Sequence, residues 1–456
     1  MSTLVIDGAA IATVDAAGTE HTVGHLVATD GWITAVGEGP APAVPEAEVI
    51  DGSGCLLTPG LVNTHHHLYQ WATRGYAVDS TLFEWLTELY PVWAGVDDTI
   101  AGAAAAAGLA WLATSGCTTS MDHHYLFPRD GGDVFAATVA GAAQVGIRFH
   151  PTRGSMDLGQ SQGGLPPDSV VERLDDILAA SQDAVARFHD PAPDAMVRVG
   201  IAPCSPFSVT TDLLRESASL ARTLGVRLHT HLAETLDEEE FCRATHGCSP
   251  VEYLDSLDWL GPDVWLAHTV HLGPSEIARL GATGTGSAHC PSSNARLGAG
   301  IAPSRALLDA GVPVGLGVDG PASQEAGRLV DELRQALYTA RLRGGPTALT
   351  ARQSLWMGTM GGARCLGRER ELGSLEVGKL ADVALWRVDG LGHTGIVDPV
   401  VAMVLATAPP LELLAVGGKA VVRRGELCTA STDQLAADLN RACRRLRSAR
   451  GARRSA

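Results

Sequence analysis

Residues 57–67 read Leu57-Thr58-Pro59-Gly60-Leu61-Val62-Asn63-Thr64-His65-His66-His67, an apolar run that ends in three consecutive histidines. Such a run predicts a buried strand, and side chains alternate between the two sides of a strand. His65 and His67 should therefore lie on one side and His66 on the other. Two imidazoles on one face can hold a metal ion, whereas an isolated pair of histidines is more often part of a polar loop. The rest of the chain decides between these interpretations.

The composition predicts an intracellular protein with a large core and a small-molecule ligand. The chain has 456 residues, of which 45% are hydrophobic, and this suffices for one large barrel and an accessory domain. Its net charge of −17 argues against a nucleic-acid partner, because phosphate binding requires a basic surface. The nine cysteines form no CxxC pair, and no uncharged run is long enough to span a bilayer. We therefore expect a cytoplasmic protein without a membrane partner.

Strand and helix signals alternate through the middle of the chain. A helix is predicted over residues 99–114, with Asp97 or Asp98 as its N-cap and Gly116 just after its end. Together with the run before His65, eight strands are predicted, and the other seven are residues 117–121, 147–152, 197–203, 226–231, 264–268, 284–289 and 314–319. Eight strands separated by helices indicate an α/β fold of the (β/α)8 TIM-barrel type. A doubly wound open sheet is the alternative, but it would not explain polar residues at nearly every strand end.

Short β-branched segments at both ends of the chain predict a second, smaller domain. They occur between residues 4 and 37 and return at residues 381–386 and 414–425. We expect the two halves to form one small antiparallel β-sandwich beside the barrel. The predicted domains are residues 1–57 and 371–430 for the two parts of the sandwich and 58–370 for the barrel. Residues 431–456 should form a C-terminal helix and a solvated, arginine-rich tail.

Titratable side chains follow several of the predicted strands. A second alternating pair, His229 and His231, is followed by Glu234, and His268 and Asp319 each end another strand. Any one of these residues has a simpler explanation in the core or in a turn. Their joint occurrence at separate strand ends favours a metal site instead. Three histidines and one aspartate fit a zinc-like ion that keeps a position open for water.

Five motifs have the spacing and composition of a known family. They are Pro59-Gly60-Leu61-Val62-Asn63-Thr64-His65-His66-His67, His229-Thr230-His231-Leu232-Ala233-Glu234, Ala267-His268, His289-Cys290-Pro291-Ser292-Ser293-Asn294 and Val318-Asp319-Gly320. They resemble the motifs of the amidohydrolase superfamily, in its branch of cytosolic aminohydrolases. Residues 373–382 are similar to that family's return into the flanking sheet, so the resemblance covers nearly the whole chain. More specific stretches at residues 89–94, 122–128, 152–156, 202–210 and 232–239 resemble the 8-oxoguanine deaminases, with the triazine hydrolases more distant.

The resemblance implies a set of metal ligands and a reaction. The implied ligands are His65, His67, His231 and Asp319. The implied reaction is the metal-dependent hydrolytic deamination of an amino-substituted, purine-like heterocycle, with 8-oxoguanine giving uric acid and ammonia. Guanine, isoxanthopterin or another pterin, and an s-triazine are alternative substrates. A barrel that binds metal without catalysis is the alternative outside the enzymes.

The catalytic roles follow from the chemistry of these side chains. Glu234 could protonate a ring nitrogen of the substrate and make the neighbouring carbon electrophilic. Asp319 would take a proton from water, and His268 would orient that water and stabilise the charge that develops. A dead homologue would be free to lose these three groups, and all three are present.

Substrate contacts are predicted from positions near the strand ends. Gln70 offers both a donor and an acceptor to the edge of a purine. His123 and Cys204 follow other strands and are the further candidates. After Asp319 the chain departs from the family's frequent Ser-Asn-Asp-like run and reads Pro321-Ala322-Ser323-Gln324-Glu325, which changes the neighbouring loop. We expect a small heterocycle as the substrate and a homo-oligomer as the assembly.

The distribution of lysine limits the number of metal ions. Lysine occurs at Lys379 and Lys419, and both lie outside the predicted barrel. Paired-metal members of the superfamily commonly bridge their ions with a carbamylated lysine, so that bridge cannot form here. We therefore expect one divalent ion per chain, zinc with ferrous iron as the alternative.

Overall fold

The computed structural model describes residues 2–454, with side chains for residues 2–448. Its strands fall into two sheets. In chain order they are β1 (Thr3–Ala12), β2 (Glu20–Thr29), β3 (Trp32–Glu38), β4 (Glu48–Asp51), β5 (Cys55–Pro59), β6 (Leu61–Asn63), β7 (Cys117–His124), β8 (Arg148–Ser155), β9 (Gly200–Pro203), β10 (Leu228–Leu232), β11 (Val264–His268), β12 (Gly286–His289), β13 (Val314–Leu316), β14 (Val383–Arg387), β15 (Leu411–Val416), β16 (Lys419–Arg423) and β17 (Glu426–Leu427).

Strands β6 to β13 close into a parallel barrel in which neighbours along the chain are neighbours in space. The last strand pairs with the first through Leu316 and Asn63. All eight predicted strands are present, so the (β/α)8 barrel is confirmed. The carboxyl ends of all eight strands therefore meet at one rim of the barrel. Active sites lie at this rim in (β/α)8 barrels.

The strands of both termini form one nine-stranded sheet, as predicted, although the sheet is mixed. β1 pairs in parallel with β4 and β5, because a long connection separates each pair, while the other neighbours are antiparallel. The predicted boundary between residues 57 and 58 falls inside β5. Residues 57–59 thus belong to this sheet and not to the barrel strand, and the chain passes from one sheet to the other at Gly60. Gly60 suits this step because a Cβ there would lie 2.2 Å from the Thr118 side chain.

Fifteen α-helices are present in the part of the chain that the structure describes. They are α1 (Leu82–Trp93), α2 (Asp98–Thr114), α3 (Val134–Val145), α4 (Leu174–Phe188), α5 (Thr211–Leu224), α6 (Leu236–His246), α7 (Pro250–Ser256), α8 (Pro274–Thr283), α9 (Pro291–Arg296), α10 (Ser304–Asp309), α11 (Leu329–Gly344), α12 (Ala351–Trp356), α13 (Gly362–Cys365), α14 (Pro399–Leu405) and α15 (Thr432–Arg454). In α2, the Asp97 carboxylate accepts the backbone N–H of Ile100 and caps the helix as predicted. None of the described helices is both long enough and apolar enough to cross a membrane.

The arginine-rich C-terminal segment continues as helix α15 and is not a solvated tail over its described side chains. Leu435, Ala442 and Leu446 are buried on one face of α15. Arg445 forms an ion pair with Asp97 at 2.5 Å, at the start of α2. The apolar face explains the difference, since it gives the helix a surface to bury. The predicted tail beyond residue 448 lies outside the described side chains.

Candidate active site

Six titratable side chains converge at the carboxyl-terminal rim of the barrel, and all of them are buried. They are His65, His67, His231, Glu234, His268 and Asp319. β6 ends at Asn63, so the first two histidines lie just beyond the strand and not within it. His66 points away, as predicted, and its Nδ1 lies 2.6 Å from the carbonyl oxygen of Asp319.

Three of the six distances among the ligand atoms of His65, His67, His231 and Asp319 are close to those of a tetrahedral metal site. The Asp319 Oδ1 atom lies 3.3 Å from the Nε2 atoms of both His65 and His67. The Nε2 atom of His67 lies 3.1 Å from that of His231. Ligands bound tetrahedrally at about 2.1 Å are separated by about 3.4 Å. These three distances are compatible with an ion such as zinc.

The chemical state of the histidines also fits a metal ion. Burial lowers the pKa of His65 and His231 well below the usual value, which favours the neutral form that binds metals. The Nε2 atom of His65 is buried without a hydrogen-bond partner. An orphaned buried nitrogen calls for an explanation, and a metal ion at this point supplies one.

Hydrogen bonds to the second ring nitrogen of each histidine fix the direction of Nε2. His67 Nδ1 lies 2.7 Å from the His123 carbonyl oxygen, and His231 Nδ1 lies 2.6 Å from that of Cys204. His65 Nδ1 lies 2.9 Å from the Nε2 atom of His229. His229, the other member of the second alternating pair, is thus a supporting residue. Partners of this kind orient metal-binding imidazoles.

Asp319 is held as an anion by its surroundings. Although burial raises its pKa, the neighbouring His65 and His67 side chains hold the pKa well below the usual range. Ser293 and Ser323 donate hydroxyl hydrogen bonds to its Oδ2 atom at 2.5 and 3.2 Å. The departure from the family pattern after Asp319 therefore supplies a direct contact to this carboxylate through Ser323.

Glu234 and His268 form a second polar pair beside the four donors. Their Oε2 and Nε2 atoms lie 3.6 Å apart. Burial, with a contribution from Asp319, raises the pKa of Glu234 well above its usual value, which favours the protonated form of this carboxyl group. The Nδ1 atom of His268 lies 3.0 Å from Asn294 Oδ1, which leaves Nε2 directed toward the site. Asn294 was not among the predicted site residues.

The turn that carries Glu234 is held in a strained conformation. Ala233 has a φ of +53°, which residues other than glycine seldom adopt. Glu238, buried near the start of α6, accepts the backbone N–H groups of Ala233 and Glu234 at 2.9 and 3.0 Å. A single carboxylate thus fixes the turn, and Glu238 is a positioning residue that sequence reasoning missed.

We expect Glu238→Gln to weaken both the fold and the site. The amide offers one acceptor oxygen where the carboxylate offers two, so one buried N–H loses its partner, at a cost of about 1–3 kcal/mol in the free energy of unfolding. Urea unfolding and kcat/KM measured on the same preparation test this. Glu240→Gln, at an exposed position on the same helix, is the control and should change neither quantity. An unaltered unfolding midpoint for Glu238→Gln would show that the turn does not depend on this carboxylate.

A small cavity of about 30 Å³ lies against the polar cluster. Gln70 and Cys204, two of the predicted substrate contacts, line it. Gln70 is buried, and its Oε1 atom has no hydrogen-bond partner. Gly320 gives this amide its room, because a Cβ there would lie 1.8 Å from Oε1. His123 does not line this cavity: its Nε2 atom lies 2.9 Å from the Ala202 carbonyl oxygen, and its Nδ1 atom is buried without a hydrogen-bond partner.

The cavity wall also contains seven aromatic or aliphatic side chains that were not predicted as site residues. The further side chains include Leu82, Trp85, Leu86, Tyr90, Tyr125, Phe207 and Leu297. Four of them come from α1, which lies outside the motifs that end in titratable residues. Tyr125 was the most accessible to prediction, because it directly follows the polar end of β7.

Among the described residues, the two candidate metal-binding groups share His65 and therefore mark one region. His65, His67, His123 and His231 form one candidate group, and His65, His268 and Asp319 form an overlapping one. Cys204 belongs to neither group. Burial raises the pKa of its thiol to about 12, so it is not a thiolate at neutral pH.

The fold and the cluster define a class of protein, the (β/α)8-barrel enzymes with a histidine-rich metal site at the carboxyl ends of the strands. The model of the amidohydrolase family matches residues 56–421. This chain belongs to the amidohydrolase family, as the resemblance of its motifs predicted.

Known relatives act on several heterocycles. The chain is 49% identical over 403 residues to the 8-oxoguanine deaminase of Pseudomonas aeruginosa, which covers 87% of this chain and 88% of that protein. It is 38% identical over 449 residues to an isoxanthopterin deaminase from an unknown prokaryotic organism, with 92% of each chain covered. The structure of atrazine chlorohydrolase from Arthrobacter aurescens TC1, complexed with zinc, matches with a TM-score of 0.92 and 33% identity over 96% of this chain and 100% of that one. The chain is thus a deaminase or related hydrolase of the amidohydrolase family.

Proposed function

We propose that this protein deaminates 8-oxoguanine by hydrolysis and releases uric acid and ammonia. The observation that carries the proposal is the convergence of His67, His231, Asp319, the carboxyl group of Glu234 and the unpartnered amide of Gln70 on one cavity. The 49% identity to an 8-oxoguanine deaminase supports the choice of substrate. Isoxanthopterin, guanine and an s-triazine are the competing substrates.

We propose His65, His67, His231 and Asp319 as the ligands of one divalent ion, zinc with ferrous iron as the alternative. A divalent ion in such a site lowers the pKa of bound water to about 7 and so makes hydroxide available at neutral pH. The zinc complex of the related chlorohydrolase supports this choice of metal. The three short distances among these ligand atoms support the proposal.

The remaining steps belong to the side chains of this protein. Glu234 donates its proton to the ring nitrogen next to the amino-bearing carbon, which makes that carbon electrophilic. Asp319 accepts a proton from the attacking water as the new C–O bond forms. His268, oriented by Asn294, stabilises the charge on the attacking oxygen. The proton on Asp319 then passes to the amino group, and the C–N bond breaks as the added hydroxyl group becomes a carbonyl. The hydroxyl proton returns to Glu234, and ammonia leaves.

The walls of the cavity suit a flat ring system. Trp85, Tyr125 and Phe207 offer aromatic surfaces, and Gln70 offers donor and acceptor groups to the polar edge of the ring. About 30 Å³ holds roughly two waters and not a purine. Entry of the substrate therefore requires the side chains of α1 at the cavity, such as Leu82 and Leu86, to move outward.

The cellular setting and the assembly stay predictions. All nine cysteines are free, which supports a reducing compartment and hence the cytoplasm. The homo-oligomer is not tested by these observations.

Ammonia release from purified, metal-loaded protein tests the choice of substrate. Across 8-oxoguanine, guanine, isoxanthopterin and an aminotriazine, we expect kcat/KM for 8-oxoguanine to exceed the others by at least about tenfold, because buried polar groups left unpaired penalise the wrong ring. A higher kcat/KM for any other compound would assign the protein to that substrate instead. Absence of turnover with all four would favour the catalytically inactive barrel.

A further inference from the structure

A second cavity, of about 480 Å³, lies at the opposite end of the barrel. We call it the basal cavity, and its charged and titratable lining residues are His150, His189, Arg198, Arg222, Arg227 and Asp263. Arg198 precedes β9, Arg227 precedes β10, and His150 is the third residue of β8. The catalytic side chains follow the carboxyl ends of the strands, so the two cavities face opposite rims.

A packed barrier separates the basal cavity from the metal histidines. The indole of Trp265 is buried and donates its Nε1–H to the Thr64 carbonyl. On one side its ring stacks on His229 at a centroid distance of 4.5 Å, and on the other it lies 5.9 Å from the ring of His150. The basal cavity is therefore not an extension of the active site.

The arginines of the basal cavity exceed the carboxylates that face it. Asp263 is the lining carboxylate, and it is already engaged by Arg222 at 3.0 Å. Glu371 lies behind Arg198 at 3.5 Å. Arg227 donates its Nε–H to the Cys365 carbonyl and forms no ion pair with the described carboxylates.

Buried polar atoms around the basal cavity also lack partners. His150 is 3% exposed, and its Nδ1 atom has no hydrogen bond. The Nε atom of Arg198 is buried and unpaired in the same way. Behind them, the buried Arg368 uses its two terminal nitrogens on the carbonyls of Ala195 and Pro193, while its Nε stays unpartnered. Such groups are costly unless something pairs with them.

We propose that the basal cavity binds a phosphate-type oxyanion between Arg198 and Arg227. Guanidinium groups pair with the oxygens of such an anion through charge-assisted hydrogen bonds. Two arginines that precede different strands suit a multivalent anion better than a single carboxylate group. The cavity has room for a phosphate carried on a larger molecule. This proposal is independent of the substrate of the active site.

A charge change at the rim tests the proposal without disturbing the arginines. Gly225 lines the basal cavity, and a Cβ there would meet no atom within 4 Å. Its φ of +68° is one that aspartate and asparagine tolerate better than other side chains. Gly225→Asp and Gly225→Asn have the same shape and differ in charge, so each serves as the control for the other.

Titration calorimetry with inorganic phosphate, at constant ionic strength, is the measurement. We expect wild type and Gly225→Asn to bind with a Kd of about 1 mM or tighter, and Gly225→Asp to bind at least about tenfold more weakly. Arg227→Gln should lose a similar factor, whereas Arg215→Gln, at an exposed position on α5, should bind like wild type. Equal binding by Gly225→Asp and Gly225→Asn, or no binding by wild type, would overturn the proposal.

Discussion

Glu234→Gln is expected to lower kcat by about 10³-fold and to leave the metal content unchanged. The amide is nearly isosteric with the carboxyl group but cannot donate and recover a proton, and proton transfer of this kind contributes 10²–10⁴-fold. Glu234 is not one of the four proposed metal ligands. Its Oε2 atom lies 3.6 Å from the Nε2 atom of His268. The variant should therefore bind substrate with a KM close to that of the wild type. Steady-state kinetics with metal analysis of the same sample measure both effects.

Glu240→Gln makes the same chemical change at an exposed position six residues along the chain and should retain wild-type kinetics. A Glu234→Gln variant with near-normal kcat would remove Glu234 from the proton path. A variant without metal would instead show that this residue supports the ligands.

Removal of the metal is expected to abolish activity, and about one equivalent per chain should restore it. Without the ion, no group of the site lowers the pKa of water to about 7, so a loss of at least about a thousandfold follows. Restoration should be complete near one equivalent because the two candidate metal-binding groups among the described residues share His65 and therefore mark one region. Activity measured during stepwise addition of zinc to chelator-treated protein gives the stoichiometry.

Asp319→Asn should not recover in the same titration, since it removes the one anionic donor of the site. Asp309→Asn, on the exposed surface of α10, should recover fully. A linear rise in activity up to two equivalents would contradict the single-ion site.

The barrel and its metal ligands could be predicted because each rests on a local pattern. Alternating histidines after an apolar run, as at His229 and His231, fix both the strand and the direction of the side chains. Parallel strands in a closed barrel bring their ends together whatever lies between them. For this reason His65 and Asp319, 254 positions apart in the sequence, could be assigned to one site before any distance was known.

Other features depend on packing that no local pattern records. Residues 57–59 are as apolar as a barrel strand, yet they pair in the terminal sheet, because hydrophobicity alone does not specify the partner strand. Glu238 resembles any glutamate near the start of a helix, and its role follows from the conformation of Ala233. His123 lies near the carboxyl end of β7, but its side chain does not line the cavity. The aromatic side chains of α1, Trp85 and Tyr90, reach the cavity through the packing of that helix against the barrel, and no local sequence pattern marks this contact.

The most direct test of a hydrolytic deaminase is the fate of oxygen from water. Incubation of the metal-loaded protein with 8-oxoguanine in water labelled with oxygen-18 should give uric acid that carries one labelled oxygen, at the carbon that held the amino group, and an equal amount of ammonia. Ammonia released without incorporation of the label, or labelled product formed without ammonia, would contradict the account.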